Sequence, residues 1–163
     1  MNSLLDGQPG TAVTSKVGAE SPLELRQLWL KVLARASAAE IKARFCDFPA
    51  YRLIRAPEVG MALAKANAGS DGQTFHLGEM TMTRCVVLLE SGETGFGFVL
   101  GRDKAHAEYV AVLDAMLQRS DNHPHLMAEL IMPLAEQQRE KREQQARTTQ
   151  ATKVDFFTMV RGE

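Results

Sequence analysis

The sequence predicts an α+β fold, and three observations predict it. Two capped helix starts lie near the front, period-two apolar alternation broken by turn residues runs from Tyr51 to Leu100, and a nearly all-apolar helix follows over Lys104 to Gln118. The expected architecture is an N-terminal helical hairpin, an antiparallel sheet of about four strands, a long buried helix, and a C-terminal helical arm with an apolar tail. Residues 21–134 form the expected single domain, preceded by a leader at 1–20 and followed by the arm and tail at 135–163.

Residues 1–20 mix Gly, Ser, Thr, Asp and Pro without period, and are expected to be disordered. Ser21-Pro22-Leu23-Glu24 combines an N-cap serine, a proline at the first helical position and a glutamate placed to complete a capping box. Leu25, Leu28, Trp29, Val32 and Leu33 then share one helical face. Ser37-Ala38-Ala39-Glu40 repeats the capping box, with Ala38, Ile41 and Phe45 aligned for a short helix ending before Pro49. Tyr51 to Ala66 reads as two short strands interrupted at Pro57. Ala68 to Gly72 is a loop by composition, and Phe75 and Leu77 lead into a strand over Thr81 to Glu90.

Apolar residues occupy both faces of that strand at its Cys85 to Leu89 end, so it is expected to be covered on both sides there. Ser91-Gly92-Glu93 turns the chain, and Thr94 to Leu100 returns as the antiparallel partner. Gly101-Arg102-Asp103 opens the long helix. Its polar stripe is narrow, with Lys104, Glu108, Asp114 and Gln118 plus His106, so it requires a sheet and a second layer, or a partner, to cover it. Asp121 to Pro124 breaks the chain, and helical spacing resumes over Leu126 to Leu134 around Pro133. Ala135 to Lys153 has strong helix formers and no apolar stripe, as in a solvated strut or a tether. The closing segment is different. Val154, Phe156, Phe157, Met159 and Val160, with Arg161, are too apolar to remain in water, since burying each large side chain contributes about 1.5–3 kcal/mol. They either fold back on their own domain or hook a partner.

Composition removes several function classes. The 163 residues carry 19 Lys+Arg against 20 Asp+Glu, which gives no basic field for nucleic acid or an anionic membrane. No apolar run is long enough to suggest a transmembrane helix, and the first 20 residues lack the plan of a signal peptide, so a cytoplasmic location is expected. Cys46 and Cys85 match no redox or metal spacing and are expected to be free, buried thiols. His76, His106, His123 and His125 show no metal-ligand spacing, so no metal site is expected. Neither a nucleophile elbow nor a phosphate loop is present; Gly95 and Gly97 lie within a strand, where glycines mean close backbone packing.

Two places are chemically unusual. Arg102, Lys104 and His106 sit at a helix N-terminus, where positive charge is unfavourable unless an anion lies nearby. Free backbone N–H groups beside them would suit a phosphate; otherwise Asp103 caps the helix and the cations point to water or an interface. Arg84 lies mid-strand between Met82 and Val86, either paired with a carboxylate at an interface or aimed at a ligand.

Three segments, GEMTMTR (Gly78 to Arg84), VLGRDKAHAE (Val99 to Glu108) and VDFFTMVRGE (Val154 to Glu163), resemble in order the hallmark segments of the PhnG family, the small subunit of the bacterial carbon–phosphorus lyase core complex. The resemblance runs from about Trp29 to the end. It implies assembly with PhnH, PhnI and PhnJ in a two-fold symmetric complex that uses phosphonates as a phosphorus source. The associated reaction replaces the adenine of ATP by methylphosphonate at ribose C1, with the N-glycosidic chemistry usually assigned to PhnI. No catalytic residue and no bound cofactor carries over to this chain; ATP is a substrate of the complex. The expected role is an accessory subunit. The competing expectation is a phosphate-binding module in which Arg84, Arg102, Lys104 and His106 contact the triphosphate or phosphonate.

Overall fold

The computed structural model describes residues 21–68 and 72–152. The leader at 1–20 and the apolar segment Val154 to Val160 therefore lie outside the described residues. Both predicted capping boxes form. Ser21 accepts from the Glu24 N–H and starts α1 (Pro22–Leu33), and Ser37 does the same with Glu40 for α2 (Ala38–Arg44). Trp29, Val32, Leu33 and Ile41 are buried, whereas Leu28, placed on the same face by its spacing, is 41% exposed. Cys46 lies beyond α2 in the connection to the sheet and is exposed, contrary to the expectation of two buried thiols; Cys85 is buried.

Among the described residues the sheet has three antiparallel strands in the order β1-β2-β3, where about four were expected. β1 (Tyr51–Asn67) is continuous through Pro57, because register shifts between Leu53 and Arg55 and between Arg55 and Glu58 absorb the residue that cannot donate to the ladder. β2 (Thr74–Leu89) likewise joins Phe75 and Leu77 to the strand that follows. The hairpin closes at Gly92, whose φ of 104° suits glycine, with the Leu89 N–H donating to the Glu93 carbonyl at 3.0 Å. β3 (Thr94–Leu100) pairs only with Met82 to Leu88, so beyond Met82 the first two strands continue as a two-stranded ribbon.

α3 (Lys104–Leu117) lies across β2 and β3, with α1, α2 and α4 against its other side. The contact is close because β3 offers glycine where it meets the helix. A Cβ at Gly95 would stand 1.9 Å from the Ala111 carbonyl oxygen, and one at Gly97 1.9 Å from that of Ala107. After α3, α4 (His123–Leu126) leads into a π-helical turn over Met127–Ile131 and then α5 (Met132–Ala151). The widened turn precedes Pro133, whose missing N–H and ring bulk disfavour a regular ladder at that point. Leu126, Leu130, Ile131 and Leu134 complete the core.

The polar segment from Ala135 is helical through Ala151. Two contacts tie its first turns down: Gln138 donates to the Val32 carbonyl at 2.9 Å, and Lys141 reaches Glu40 at 2.9 Å. The Lys141 ammonium, with the Ser37 backbone N–H, holds the Glu40 carboxyl down at about 2. From Lys141 onward every described residue is exposed.

Candidate interaction surface

Alternation along β2 assigns its residues to two faces. Thr83, Cys85, Val87 and Leu89 point under α3 and are buried, as are Gly95, Gly97 and Val99 of β3. The residues between them point the other way. Row by row, this outer face places Arg52 beside Leu88 and Thr94, Arg55 beside Val86 and Phe96, Glu58 beside Arg84 and Phe98, and Gly60 beside Met82 and Leu100. Val86 and Leu88 are half-buried; Phe96, Phe98 and Leu100 are exposed by 38%, 49% and 67%. The two-sided cover expected for Cys85 to Leu89 is thus one-sided: α3 covers the inner face, and no described residue forms a layer over the outer one. Along the ribbon, Met80 is exposed on the outer side in the row with Ala62, while Met61 and Leu63, in rows with Thr81 and Glu79, are exposed on the opposite side, past the reach of α3.

Arg84 stands on this outer face. Its guanidinium pairs with Glu58 across the strands, and Arg55 reaches the same carboxylate at 3.2 Å. The hydrogen bond from Arg84, more than the charge of Arg55, holds the Glu58 carboxyl below its ordinary range.

The junction before α3 separates its residues. Gly101 takes a φ of 93°, donates to the Thr81 carbonyl at 2.9 Å and accepts from the buried Thr83 hydroxyl at 2.8 Å. Asp103 caps the helix by accepting from the His106 N–H at 2.9 Å. The His106 ring turns inward and is buried, its Nε2–H donating at 2.9 Å to the Leu33 carbonyl at the end of α1. It fills one of the carbonyl positions a helix terminus leaves open, and stands on the inner side of the sheet, opposite Arg84. Arg102 and Lys104 are exposed and make no ion pair among the described residues.

Asp114, assigned to the polar stripe by its type, is fully buried and organises the edge of the sheet. Its carboxylate accepts from Arg26 at 3.1 and 2.7 Å, from the Trp29 indole at 2.9 Å and from the Phe96 N–H at 3.0 Å. α1, α3 and the open edge of β3 are thereby joined at one group. The Arg26 guanidinium also lies 5.5 Å from the Phe96 ring centre. The sequence signal for this site was the pairing of an aspartate in an otherwise apolar helix with Arg26 and Trp29 one turn apart.

A groove of about 710 Å³ opens beside α1, lined by Leu23, Leu25, Trp29, Leu117 and Pro124. The polar groups at its margin are already engaged: Arg26 by Asp114, Arg119 by Asp121 at 2.6 Å, and His123 Nδ1–H by the Leu117 carbonyl at 2.8 Å. No three His, Cys, Asp or Glu side chains come together as a metal site among the described residues, and no described helix is long and apolar enough to cross a membrane.

The fold and this surface describe a small α+β protein whose sheet has one finished and one open face. The chain belongs to the PhnG family: the family described as Phosphonate metabolism protein PhnG matches residues 24–162. It is 36% identical over 152 residues, covering 91% of this chain and 97% of the relative, to a protein of Rhizobium meliloti (strain 1021) named alpha-D-ribose 1-methylphosphonate 5-triphosphate synthase subunit PhnG.

Proposed function

We propose that this chain is an accessory subunit of a carbon–phosphorus lyase core complex, required for the transfer of methylphosphonate to ribose C1 of ATP with release of adenine. The chemistry belongs to the assembly, with PhnI as the subunit that this one stabilises and PhnH and PhnJ as further members. The observation that carries the reading is the outer face of the sheet, where Phe96, Phe98 and Leu100 stand exposed beside half-buried Val86. Docking would bury each of these large side chains for about 1.5–3 kcal/mol. The relative's name as a synthase subunit agrees with it. Val154, Phe156, Phe157, Met159, Val160 and Arg161 are assigned as a second, C-terminal hook on the partner.

The test is co-expression with PhnI, read by size-exclusion chromatography with light scattering and by adenine release from ATP plus methylphosphonate in the assembled complex. Full-length chain is expected to co-elute; a chain ending at Lys153 is expected to remain folded and fall away. Co-elution of the shortened chain with full activity removes the hook. Arg102 and Lys104, exposed and without an ion pair among the described residues, favour one second reading, contact with the triphosphate or phosphonate. In the same assay, Arg102→Ala with Lys104→Ala then raises KM in an intact complex, and unchanged kinetics removes that role.

A further inference from the structure

We infer that the outer face of the sheet docks a protein partner whose opposing surface is apolar and carries carboxylates placed over Arg52 and Arg84. The inference rests on the reading of the chain as a subunit and specifies the chemistry of what it meets. Its basis is the register. The rows from Leu88 to Arg84 bring Arg52, Arg55 and Arg84 onto one face with Glu58 as their acidic neighbour in the paired strands. Three guanidinium groups against one carboxylate leave an excess of two positive charges.

Glu58 is shared by Arg55 and Arg84, so each is only partly neutralised, and Arg52 makes no ion pair among the described residues. Arg55, Glu58 and Arg84 lie in the same rows as Val86, Phe96 and Phe98, and Arg52 lies in the next row, with Leu88 and Thr94. Arginine beside exposed aromatic side chains is the composition of an interface core, and planar guanidinium groups there recognise carboxylates in a forked geometry. A partner that buried the aromatic rings without supplying acids would desolvate two surplus cations, which is strongly unfavourable. Electrostatic complementarity therefore selects an acidic, apolar surface.

The other occupants fit less well. A second copy docking by two-fold symmetry would bring the same arginine-rich face against itself. The chain's own segment 153–163 has Lys153 and Arg161 balanced by Asp155 and Glu163, and so offers no negative surplus.

The experiment uses full-length chain co-expressed with PhnI, comparing wild type, Arg52→Glu, Arg84→Gln and Phe98→Ser, with affinities measured at 50 and 500 mM NaCl (about 14 and 4 Å screening lengths). Each arginine variant is expected to bind at least tenfold more weakly at low salt, to show a smaller salt dependence than wild type, and to melt at the wild-type temperature. Phe98→Ser is expected to weaken binding while keeping the wild-type salt dependence. Wild-type affinity in both arginine variants with loss in Phe98→Ser overturns the acidic partner and leaves the subunit reading standing. Wild-type affinity in all three overturns this face as the interface, and failure of wild type to co-elute overturns both readings. A homodimer broken by Phe98→Ser identifies a second copy, and gain of partner binding at this face on truncation at Lys153 identifies the chain's own segment; either overturns the inference.

Discussion

On the inner face of the sheet, Thr83, Cys85, Val87 and Leu89 are buried under a helix that approaches until its backbone meets Gly95 and Gly97. On the outer face, the alternate residues of the same strands leave Phe96, Phe98 and Leu100 exposed. Strand propensity cannot explain the difference, because both faces are built from the same β2 and β3. It arises from the number of covering layers the described chain supplies. One is complete enough that no buried side-chain polar atom lacks a partner among the described residues; the other consists of apolar side chains with a surplus of guanidinium groups. An exposed apolar face of this kind is what the proposed contact with a partner would cover.

The largest effect expected from breaking this contrast is at glycine. Gly97→Val places a branched side chain where even a Cβ would sit 1.9 Å from a helix carbonyl oxygen, so α3 must lift from the sheet. The expected loss is about 3 kcal/mol or more, at the top of the overpacking range. Gly60, on the outer face, has nothing within 4 Å of such a Cβ, and Gly60→Ala is expected to change stability by less than about 0.5 kcal/mol. Thermal denaturation of the full chain checks both. Equal melting temperatures would mean that the helix-to-strand contact is not what finishes the inner face.

Asp114 comes next. Asp114→Asn keeps the shape but removes the charge that Arg26 neutralises, while the Trp29 indole and Phe96 N–H compete for one remaining acceptor oxygen. Breaking one side of a buried ion pair costs about 3 kcal/mol, or roughly 6–12 °C in melting temperature for a chain of this length. The effect belongs to the covered side of the molecule, and Phe98→Ser on the open side is expected to leave the melting temperature unchanged. A wild-type melting curve for Asp114→Asn would show that the edge of β3 is held by apolar packing alone.

The parts of this architecture legible in sequence were those specified by local chemistry. Ser21 and Ser37 announce their helices, Gly92 its turn, and Gly95 and Gly97 a close approach. Pro57 misled, since a proline normally ends a strand, and only the bulges on either side show how β1 passes through it. Asp114 was assigned to the polar stripe, and His106 to that stripe and to the candidate phosphate contact, on residue type and position alone; their burial depends on Leu33, Arg26 and Trp29, far away in sequence. The open face was misread for a related reason. Alternation identifies apolar residues on both sides of β2 but carries no information on which molecule covers each side.

The smallest effect expected is on proton binding, and it probes how completely the inner face excludes water. Burial, and after it the Glu108 carboxylate, pushes the Cys85 thiol up to about 11; burial and the hydrogen bond to Glu108, 2.6 Å away, push the Tyr51 phenol up to about 12. Both values lie above the ordinary 9.0 and 10.0, so the folded state favours the protonated groups. Their contribution to stability is intact below pH 9 and is lost as pH rises, for Cys85 through about 11 and for Tyr51 through about 12. Cys46, exposed, must first be replaced by serine so that thiol labelling reports Cys85 alone. The rate of labelling by a thiolate-specific reagent is then expected to reach half its limit near pH 11, and Glu108→Gln to move that midpoint down by removing the nearby negative charge. A midpoint near 9 in both proteins would mean that water reaches Cys85, and that the face under α3 is as open as the one opposite.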